Sequence, residues 1–457
     1  MAPEIDPLGR LTAGYSPART ALVATLTLAG LAAVGWDHAL ELGRHDGMAW
    51  TWIALSALMA LIQALAWADR PKKTFPLEDA ALAGLRVTVS IPVYNEDPEA
   101  LRLVALALAR QTRPPQRVEF VDDGSDRFGY EEIRQQLAGL SLTHPGTEWS
   151  WVRTERGPDS GKRAAQSVTF RGDPGADVFA TIDSDTILDP RAVEEGLKPF
   201  ADPRVMSSAA VLLVFNANRS LLAALTDIWL AVYQLGVRAA WSRLGCVLVN
   251  SGGLAFYRAQ VVRDALPAYL SETFAGRKVS YSDDAMLTFF AMLQGKTVQQ
   301  PTCFAFTIMP EKIGHHIRQN LRWMRGGVIR SVWRFRWLPL SRPAWWLGLL
   351  GWAEFILTTT LLVSAIAAPL AEGRAPVMPS LLPVLGLSYL VALRAMLVRR
   401  GDQKTTARLA AYACSPLITL WSMTVLRALR VWAIATCVQS GWGTRDKLEV
   451  SLTGDPE

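Results

Sequence analysis

Cysteine is scarce in this chain, which has four among its 457 residues. The four are far apart, and none belongs to a Cys-X-X-Cys pair, the usual spacing of structural zinc ligands. Thiols so few and so scattered also exclude a disulfide-stabilised scaffold. We therefore expect free thiols in a protein of the cell interior or the membrane, at Cys246, Cys303, Cys414 and Cys437.

A dinucleotide-binding fingerprint is also missing. An apolar run at 87–92 predicts a strand, but residues 91–97 contain no Gly-X-Gly-X-X-Gly. An oxidoreductase with a dinucleotide-binding fold is therefore excluded. The basic stretch Ser160-Gly161-Lys162-Arg163 lacks the glycine spacing of a Walker phosphate loop as well.

Apolar sequence is abundant instead. Half of the chain (50%) is hydrophobic and it holds 17 tryptophans, a composition typical of membrane proteins with aromatic side chains at the lipid interface. The formal net charge of +6 is then better explained by basic loops that face anionic lipids than by nucleic acid. We expect a lipid bilayer as a partner and no nucleic acid.

Two apolar runs near the start, at 20–36 and 47–68, approach or reach the length of about 20 residues that a helix needs to cross a bilayer. A cleaved signal peptide is the alternative for the first run, but the second run favours a retained hairpin over residues 1–75. Basic residues flank the hairpin on both sides, whereas the loop between the runs has no basic surplus. Both flanks are therefore predicted to be cytoplasmic.

The middle of the chain, from 85 to 309, has an α/β pattern. Apolar strands at 87–92, 118–121 and 178–182 alternate with helical periodicity, which predicts a doubly wound parallel sheet with a ligand crevice beyond its strand ends. Polar segments follow these strands, namely Tyr94-Asn95-Glu96, Asp122-Asp123 and Asp183-Ser184-Asp185. Carboxylates that lie together at one edge of a sheet repel one another unless a cation or hydrogen-bond donors offset their charge.

The pair Asp183 and Asp185 suits Mg²⁺ or Mn²⁺, which favour one or two protein carboxylates together with phosphate oxygens and water. An ordinary turn with capping aspartates has the same sequence pattern. Gly161, Lys162 and Arg163 open a predicted helix, where a glycine, two cations and the helix amino end favour phosphate. A solvated basic helix start is the alternative. A diphosphate with a bound metal ion would suit both the acidic pair and the basic segment at 161–163.

These motifs, in this order, resemble family 2 inverting glycosyltransferases with the GT-A fold. Ser282-Asp283-Asp284 resembles the acidic TED motif of the membrane-bound processive members, with aspartate in place of glutamate, and Gln319-Asn320-Leu321-Arg322-Trp323 resembles their QxxRW motif. That branch includes hyaluronan, chitin, cellulose and nodulation-oligosaccharide synthases. Residues 430–436 and Gly441-Trp442-Gly443-Thr444-Arg445 are similar to hyaluronan synthases in particular.

The resemblance implies a cytosolic GT-A domain over 84–312, combined with transmembrane and interfacial helices. It implies a processive inverting transferase that lengthens a β-linked polysaccharide from a UDP-sugar, with UDP-GlcNAc favoured as donor, and that exports the product across the plasma membrane. The growing polysaccharide is then the acceptor, and protein partners are left open. A polyprenyl-phosphate sugar transferase, a non-processive membrane sugar transferase and a noncatalytic membrane scaffold are the alternatives.

Roles for individual residues follow from the same resemblance. Asp284 is the implied catalytic base, with Asp283 as a neighbour that raises its proton affinity, although both also suit a helix amino-terminal cap. The implied metal ligands are Asp185 and Asp183. The implied acceptor contact is Trp323, and Ser251 and Gly252 are lesser candidates because small residues let a substrate come close. The implied nucleotide and diphosphate contacts are Tyr94, Glu96, Asp122, Asp123, Lys162, Arg163, Asp183, Gln319, Arg322 and Arg445.

Two helices are predicted to be interfacial. In the helix at 313–340, the register places Gln319, Arg322 and Trp323 on one face, where a guanidinium suits a diphosphate and an indole face suits a sugar ring. By itself such a helix would indicate a membrane-surface anchor. A second amphipathic helix at 218–244 carries Trp229 and Tyr233 at helical spacing, and a core helix is its alternative.

The last third is predicted to be membrane again over 345–440. Apolar runs at 345–369, 375–393 and 409–426 contain one acid, Glu354, which either lines a polar path or reaches the nearby interface. A full crossing by the third run would leave the tail at 441–457 on the outer side, away from the implied site. We therefore predict that 409–440 bends at Pro416 and returns, as a re-entrant segment or two short helices.

Overall fold

The computed structural model describes residues 8–9, 11–15, 17–41, 47–157, 159–373 and 381–439. Within those residues, the strands are β1 (Ala13–Tyr15), β2 (Val87–Val93), β3 (Arg117–Asp122), β4 (Glu148–Arg153), β5 (Val178–Ile182), β6 (Thr186–Leu188), β7 (Val205–Val214), β8 (Leu254–Arg258), β9 (Thr273–Phe274), β10 (Arg277–Lys278), β11 (Lys296–Thr307) and β12 (Val398–Arg400). The α-helices are α1 (Pro17–Glu41), α2 (Gly47–Ala68), α3 (Pro76–Ala83), α4 (Pro98–Ala109), α5 (Glu131–Thr143), α6 (Lys162–Gly172), α7 (Ala192–Leu197), α8 (Leu221–Tyr233), α9 (Ala239–Arg243), α10 (Ala259–Leu270), α11 (Asp283–Gln294), α12 (Ile313–Trp337), α13 (Pro343–Ala371), α14 (Leu381–Ala392), α15 (Thr405–Ala413), α16 (Ser415–Trp421) and α17 (Arg427–Thr436).

Eight strands form one mixed sheet in the order β4-β3-β2-β5-β8-β7-β11-β6. The first four of these run parallel to one another, and β7 runs parallel to β11. β8 is antiparallel to both β5 and β7, and β6 is antiparallel to β11 at the edge. The parallel crossover units are therefore present around β2, whereas the sheet as a whole is mixed and not wholly parallel.

The chain reverses directly after β5. Residues 183–185 link β5 to β6, and the Thr186 amide donates to the Asp183 carbonyl (3.0 Å). β6 then pairs with β11 instead of continuing into a helix. Asp183 and Asp185 consequently lie at a tight reversal beyond the carboxyl end of a central strand, the place where α/β sheets bind ligands.

Burial and capping explain why the polar segment after β2 stays outside the next helix. Every residue of β2 is buried, as expected when a strand is covered on both faces. α4 begins where the Asp97 side chain accepts a hydrogen bond from the Glu99 amide (2.8 Å) and Pro98 occupies the first turn. Residues 94–96 therefore remain at the strand end, where their side chains are accessible.

Three helical segments in the described part of the chain are long and apolar enough to cross a membrane: Leu221–Arg243, Pro343–Ala371 and Ser415–Thr436. Shorter apolar helices are Thr20–Ala33, Ile53–Ala68 and Leu385–Leu397. None of the apolar window of 343–371 is buried inside the protein, whereas 56% of the window of 221–243 is. One side of α8 thus belongs to the protein interior, against β7, and its interfacial placement stays a prediction.

A small second sheet joins the beginning of the chain to its last third. β1 and β12 pair antiparallel, with Ala13 opposite Arg400. The Ala13 amide also donates to Asp189 Oδ2 (3.0 Å), and Arg400 pairs with Asp227 of α8 (2.6 Å). These contacts fasten the segments before α1 and after α14 to the edge of the main sheet.

The helical region after β12 breaks at Cys414. α15 ends there and α16 follows, with Pro416 in its first turn, where a missing amide costs no helical hydrogen bond. The chain then stays helical to Thr436 through a π turn at 422–426. The Tyr281 hydroxyl donates to the Cys437 carbonyl (2.8 Å), so this end lies beside the amino end of α11. The return of 409–440 to the cytoplasmic side stays a prediction, and the tail at 441–457 lies outside the described residues.

Candidate functional site

The carboxyl ends of β2 and β5 and the amino ends of α6 and α11 surround one cavity of about 340 Å³, which α8 and α12 complete. Most of the predicted site residues line this cavity, although they are spread from residue 94 to residue 323 of the sequence. They are Tyr94, Glu96, Lys162, Asp183, Asp185, Ser251, Gly252, Asp283, Asp284, Gln319, Arg322 and Trp323. The fold therefore collects five of the sequence motifs at one place, namely those at 94–96, 161–163, 183–185, 282–284 and 319–323.

Asp122 and Asp123 lie beside the cavity and not in its wall. The Asp122 carboxylate accepts a hydrogen bond from the Ser125 amide (2.8 Å), and the Asp123 carboxylate lies 4.0 Å from the Arg156 guanidinium. Arg156 lines a neighbouring groove, and its guanidinium lies 3.7 Å from the centroid of the Tyr94 ring. Because Tyr94 also lines the cavity, the groove and the cavity meet at this ring.

Lys162 and Arg163 have different partners although they are adjacent at the start of α6. Arg163 donates to two backbone carbonyls (3.0 and 2.8 Å) and pairs with Glu272 (2.8 Å). These partners are buried protein groups, so Arg163 supports the loop before α11 instead of lining the cavity. Arg445 lies outside the described residues.

The Lys162 ammonium lies between the two acidic pairs. Its Nζ is 2.6 Å from Asp183 Oδ1 and 2.9 Å from Asp283 Oδ2, and the side chain is buried. Burial alone would lower the pKa of Lys162, but the carboxylates of Asp183, Asp283 and Asp284 together raise it. The cation is therefore retained and links the end of β5 to the start of α11. Gly161, at φ +132°, enters α6 through a conformation that other residues rarely adopt.

Asp283 and Asp284 form the first turn of α11, directly after Ser282, which has a left-handed φ of 61°. Burial and the neighbouring Asp283 raise the pKa of Asp284 to about 7. Burial would also raise the pKa of Asp283, but Lys162 outweighs it and the pKa is lowered. One carboxylate thus stays ionised while the other exchanges a proton near neutral pH. Asp284 also accepts from the Ala285 amide (2.7 Å), so a role in starting the helix and a chemical role are compatible.

Glu96 and Ser184 connect the ends of β2 and β5. Ser184 Oγ donates to Glu96 Oε2 (2.7 Å), and the Tyr130 hydroxyl donates to the Glu96 carbonyl (2.8 Å). Ser184 lines the cavity, yet the sequence patterns do not single it out, because a serine between two aspartates carries no signal of its own. Its hydrogen bond fixes residues 94–96 relative to residues 183–185.

Part of the cavity wall is apolar. Trp229 and Tyr233 of α8 stack with centroids 6.4 Å apart and planes 15° apart, and Leu212 and Met309 line the same cavity. The aromatic spacing that predicts an interfacial helix also suits a cavity wall. The packing of α8 on β7, which no local pattern reveals, decides where these rings lie.

α12 presents Gln319, Arg322 and Trp323 to the cavity. Trp323 is 40% exposed, which is high for a large apolar side chain, so its ring is available to a ligand. Gln319 is buried, and its Oε1 has no hydrogen-bond partner in the described part of the chain. A buried acceptor without a partner at a cavity wall indicates a place where a ligand donor fits.

Asp183 and Asp185 line the cavity together at the reversal after β5. Among the described residues, no group of three or more His, Cys, Asp and Glu side chains is arranged to hold a metal ion. Two accessible carboxylates suit a divalent cation that takes its other ligands from a diphosphate and water. The donor set therefore fits Mg²⁺ or Mn²⁺ bound together with a nucleotide, and it does not fit a closed structural metal site.

Two family models match the chain. The model described as Glycosyl transferase family group 2 matches residues 178–435, and the model described as Glycosyl transferase family 2 matches residues 88–265. Together the matched ranges run from β2 to α17 and include the cavity residues.

Two curated relatives match over most of their length. The chain is 32% identical over 370 residues to a hyaluronan synthase of Streptococcus pyogenes, a match that covers 80% of this chain and 84% of the relative. It is 29% identical over 364 residues to an N-acetylglucosaminyltransferase of Sinorhizobium fredii, covering 79% and 84% respectively.

A solved structure shares the fold. The mannosyltransferase of Pyrobaculum calidifontis in complex with GDP-Man and Mn²⁺ superposes with a TM-score of 0.55, over 91% of this chain and 99% of that chain. The two sequences are 18% identical, so this likeness concerns the fold alone.

Proposed function

Because the chain belongs to glycosyltransferase family 2 and has a GT-A fold, we propose that it is a processive inverting transferase that lengthens a β-linked polysaccharide from a UDP-sugar. The observation that carries this proposal is the single cavity shared by Asp284, Arg322 and Trp323. It holds a base, a cation for a diphosphate and an aromatic face for a sugar. UDP-GlcNAc is the favoured donor, in keeping with the N-acetylglucosaminyltransferase relative.

In the proposed reaction an acceptor hydroxyl oxygen attacks the anomeric carbon of the UDP-sugar from the face opposite the diphosphate. The glycosidic bond forms as the bond from the anomeric carbon to the diphosphate oxygen breaks, and the electron pair of that bond leaves with UDP. Asp284 takes the hydroxyl proton, and the anomeric configuration inverts in one displacement. A carboxyl group with a pKa of about 7 is well matched to this transfer near neutral pH.

Cationic groups stabilise the negative charge of the departing diphosphate. Lys162 and Arg322 supply fixed positive charge, and the guanidinium fork suits two phosphate oxygens. Asp185, with Asp183 beside it, would hold a divalent cation, Mn²⁺ or Mg²⁺, which as a Lewis acid would offset further negative charge on the diphosphate. Gln319, with its buried acceptor, suits a hydroxyl of the donor.

The groove beside the cavity suits the nucleoside. Tyr94 offers an aromatic ring at the point where groove and cavity meet, and Asp122 and Asp123 offer acceptors for a base N–H near it. Glu96 supports this region through its bond to Ser184. A contact from Arg445 stays a prediction, and we assign no ligand contact to Arg163.

The apolar part of the cavity suits the acceptor. Trp323 would stack on the terminal sugar, with Ser251 and Gly252 close by. Trp229 and Tyr233 extend the aromatic surface from α8. Sugar rings stack on such faces through their apolar side, so the product stays bound after each addition, as processive synthesis requires.

We also propose a multi-pass protein of the plasma membrane, with a cytoplasmic catalytic domain, that exports its product. The basic flanks of the amino-terminal apolar runs support this placement, as do the helical segments Pro343–Ala371 and Ser415–Thr436, which are long enough to cross a membrane. The interface of α13 with α17 also carries polar groups, since Arg427 donates to Thr358 (2.9 Å) and Thr359 (2.6 Å). Such a polar seam between apolar helices suits the passage of a hydrated sugar chain.

Membranes that contain the protein, incubated with individual labelled UDP-sugars, test the proposed function. We expect a high-molecular-weight product from UDP-GlcNAc, alone or with a second UDP-sugar, that is lost with EDTA and restored by Mn²⁺ or Mg²⁺. Linkage-specific hydrolases then identify the bond. A product that is extracted into organic solvent as lipid-linked sugar would support the polyprenyl-phosphate alternative, and no incorporation from any UDP-sugar would contradict the proposal.

A substitution at Gly252 tests the packing around the ion pair of Lys162 and Asp183. A Cβ at position 252 would lie 3.1 Å from Asp183 Oδ2 and 3.3 Å from Lys162 Nζ. We expect Gly252→Ala to displace this pair and to raise the KM for the UDP-sugar by about tenfold, a typical effect of overpacking. Gly139→Ala in α5, where an added Cβ meets nothing within 4 Å, should leave KM unchanged. Equal KM values for the two variants would refute the prediction.

A further inference from the structure

The turn that carries the proposed base is held from outside the catalytic domain. Tyr281, two residues before Asp283, is buried, and its hydroxyl donates to the Cys437 carbonyl just beyond the end of α17 (2.8 Å). Ser282 follows in a left-handed conformation, and the two aspartates then begin α11. The position of Tyr281 therefore sets where α11 starts.

α12 touches the same turn. A Cβ on Gly326 would lie 2.6 Å from both Cβ and Oγ of Ser282, so the backbone of α12 lies closer to the Ser282 side chain than a larger residue at position 326 permits. Gly326 follows Arg322 and Trp323 by one helical turn. The two parts of the cavity, the acidic start of α11 and the ligand-facing side of α12, are therefore in direct contact at this glycine.

The end of α17 also holds α12. Arg325, next to the contact glycine, donates through Nε to Thr436 Oγ1 (3.0 Å) and through Nη2 to Gln439 Oε1 (2.8 Å). The Cys437 side chain packs against the apolar cluster of Val279, Tyr281 and Ile329. Residues 436–439 thus contact both elements whose relative position decides the shape of the cavity.

We propose that residues 436–439 form a positioning element that fixes the start of α11 relative to the ligand-facing side of α12. Tyr281 and Arg325 are positioning residues in this arrangement, since each acts on the cavity through a neighbour. The inference rests on the proposed function, in which Asp284 takes the proton of the acceptor hydroxyl. The segment that ends here, Ser415–Thr436, is long enough to cross a membrane. A shift of this helix would reach Asp284 through the contacts to Tyr281 and Arg325.

Tyr281→Phe tests the proposal, because it removes one hydroxyl and keeps the buried ring. The readout is the ratio of free sugar, released when water replaces the acceptor, to sugar transferred into polymer. This ratio does not depend on how much of the protein is folded. We expect the ratio of released to transferred sugar to rise about fivefold, which corresponds to the free energy of one neutral hydrogen bond. The reason is that a less firmly positioned Asp284 would discriminate less between water and the polymer hydroxyl as proton donors.

Tyr412→Phe is the matched control. It also removes one hydroxyl that donates to a backbone carbonyl, that of Tyr389 (3.0 Å), but it lies away from residues 436–439 and the cavity, so the ratio should stay within twofold of that of the unmodified protein. Arg325→Gln should raise the ratio, and the double variant with Tyr281→Phe should show less than the product of the two single effects, because both bonds hold the same helix end.

Two results would overturn the positioning role: an unchanged ratio in Tyr281→Phe, or fully multiplicative effects in the double variant. Failure of the proposed function itself is seen separately. If the chain is not a polysaccharide synthase, the unmodified protein makes no polymer from any UDP-sugar; if Asp284 is not the base, Asp284→Asn still makes polymer, whatever the ratio in the Tyr281 variant.

Discussion

Asp284→Asn is expected to lower kcat for polymer synthesis by about 10³-fold, within the range that a positioned general base contributes. Asparagine keeps the shape of the side chain and the acceptor for the Ala285 amide, but it cannot take a proton. UDP binding should change little, because the cations and the groove residues that would hold the nucleotide are untouched. The measurement is polymer synthesis at saturating UDP-sugar together with the affinity for UDP.

A stability measurement excludes misfolding as the cause of that loss. The raised pKa of Asp284 means that the fold favours the protonated carboxyl, so stability is lost as the pH rises from the ordinary value of 3.8 to about 7. Asn cannot ionise, and Asp284→Asn should therefore have an unchanged or higher Tm at pH 8. Asp264→Asn, an exposed site on α10, is the control and should retain full activity. If Asp284→Asn makes polymer at the rate of the unmodified protein, the proposed mechanism is wrong.

Lys162→Met is expected to lower polymer synthesis by roughly 10²- to 10³-fold, as the removal of a fixed charge from a transition-state site does. It also changes the pH dependence. Asp284 must be ionised to accept a proton, so kcat/KM of the unmodified protein should fall as the pH drops below about 7. Lys162 lowers the pKa of Asp284, and without it the repulsion from Asp183 and Asp283 is opposed by the Ala285 amide but no longer by an ammonium group, so the fall of kcat/KM on the acid side, the acid limb, should move to higher pH.

The position of the acid limb is the decisive part of this measurement, because it does not depend on the amount of folded protein. That matters here, since removal of one partner from a buried ion pair destabilises a protein by about 3–5 kcal/mol. Lys278→Met is the matched control, as Lys278 pairs with Asp159 on the surface (2.6 Å). This variant should keep both the rate of polymer synthesis and the pH at which kcat/KM falls on the acid side. An acid limb in Lys162→Met at the same pH as in the unmodified protein would show that Lys162 does not act on Asp284.

Local patterns were enough to predict the elements that carry the motifs. β5 is an apolar run that ends on two aspartates, and burial on both faces follows from that run. The start of α4 has an equally local cause, because Asp97 caps its first turn and Pro98 follows. The shared face of Gln319 and Trp323 follows from helical periodicity alone. In each case the determining interactions lie within a few residues of one another.

Long-range pairing decided what local patterns could not. Lys162 and Arg163 are adjacent cations with the same local context, and only the folded loop before α11 makes Glu272 the partner of one of them. The antiparallel course of β6 and β8 depends on β11 and β7, which are distant in sequence. Trp229 and Tyr233 fit a lipid surface and a ligand cavity equally well until α8 is placed on the sheet.

The pairing of β1 with β12 has a consequence for biosynthesis. β1 leaves the ribosome before the catalytic domain, whereas β12 emerges only after the catalytic domain and α14 have been made. Residues 13–15 therefore lack their partner strand while the intervening residues are translated, and the pairing of β1 with β12 forms only after α14 has left the ribosome.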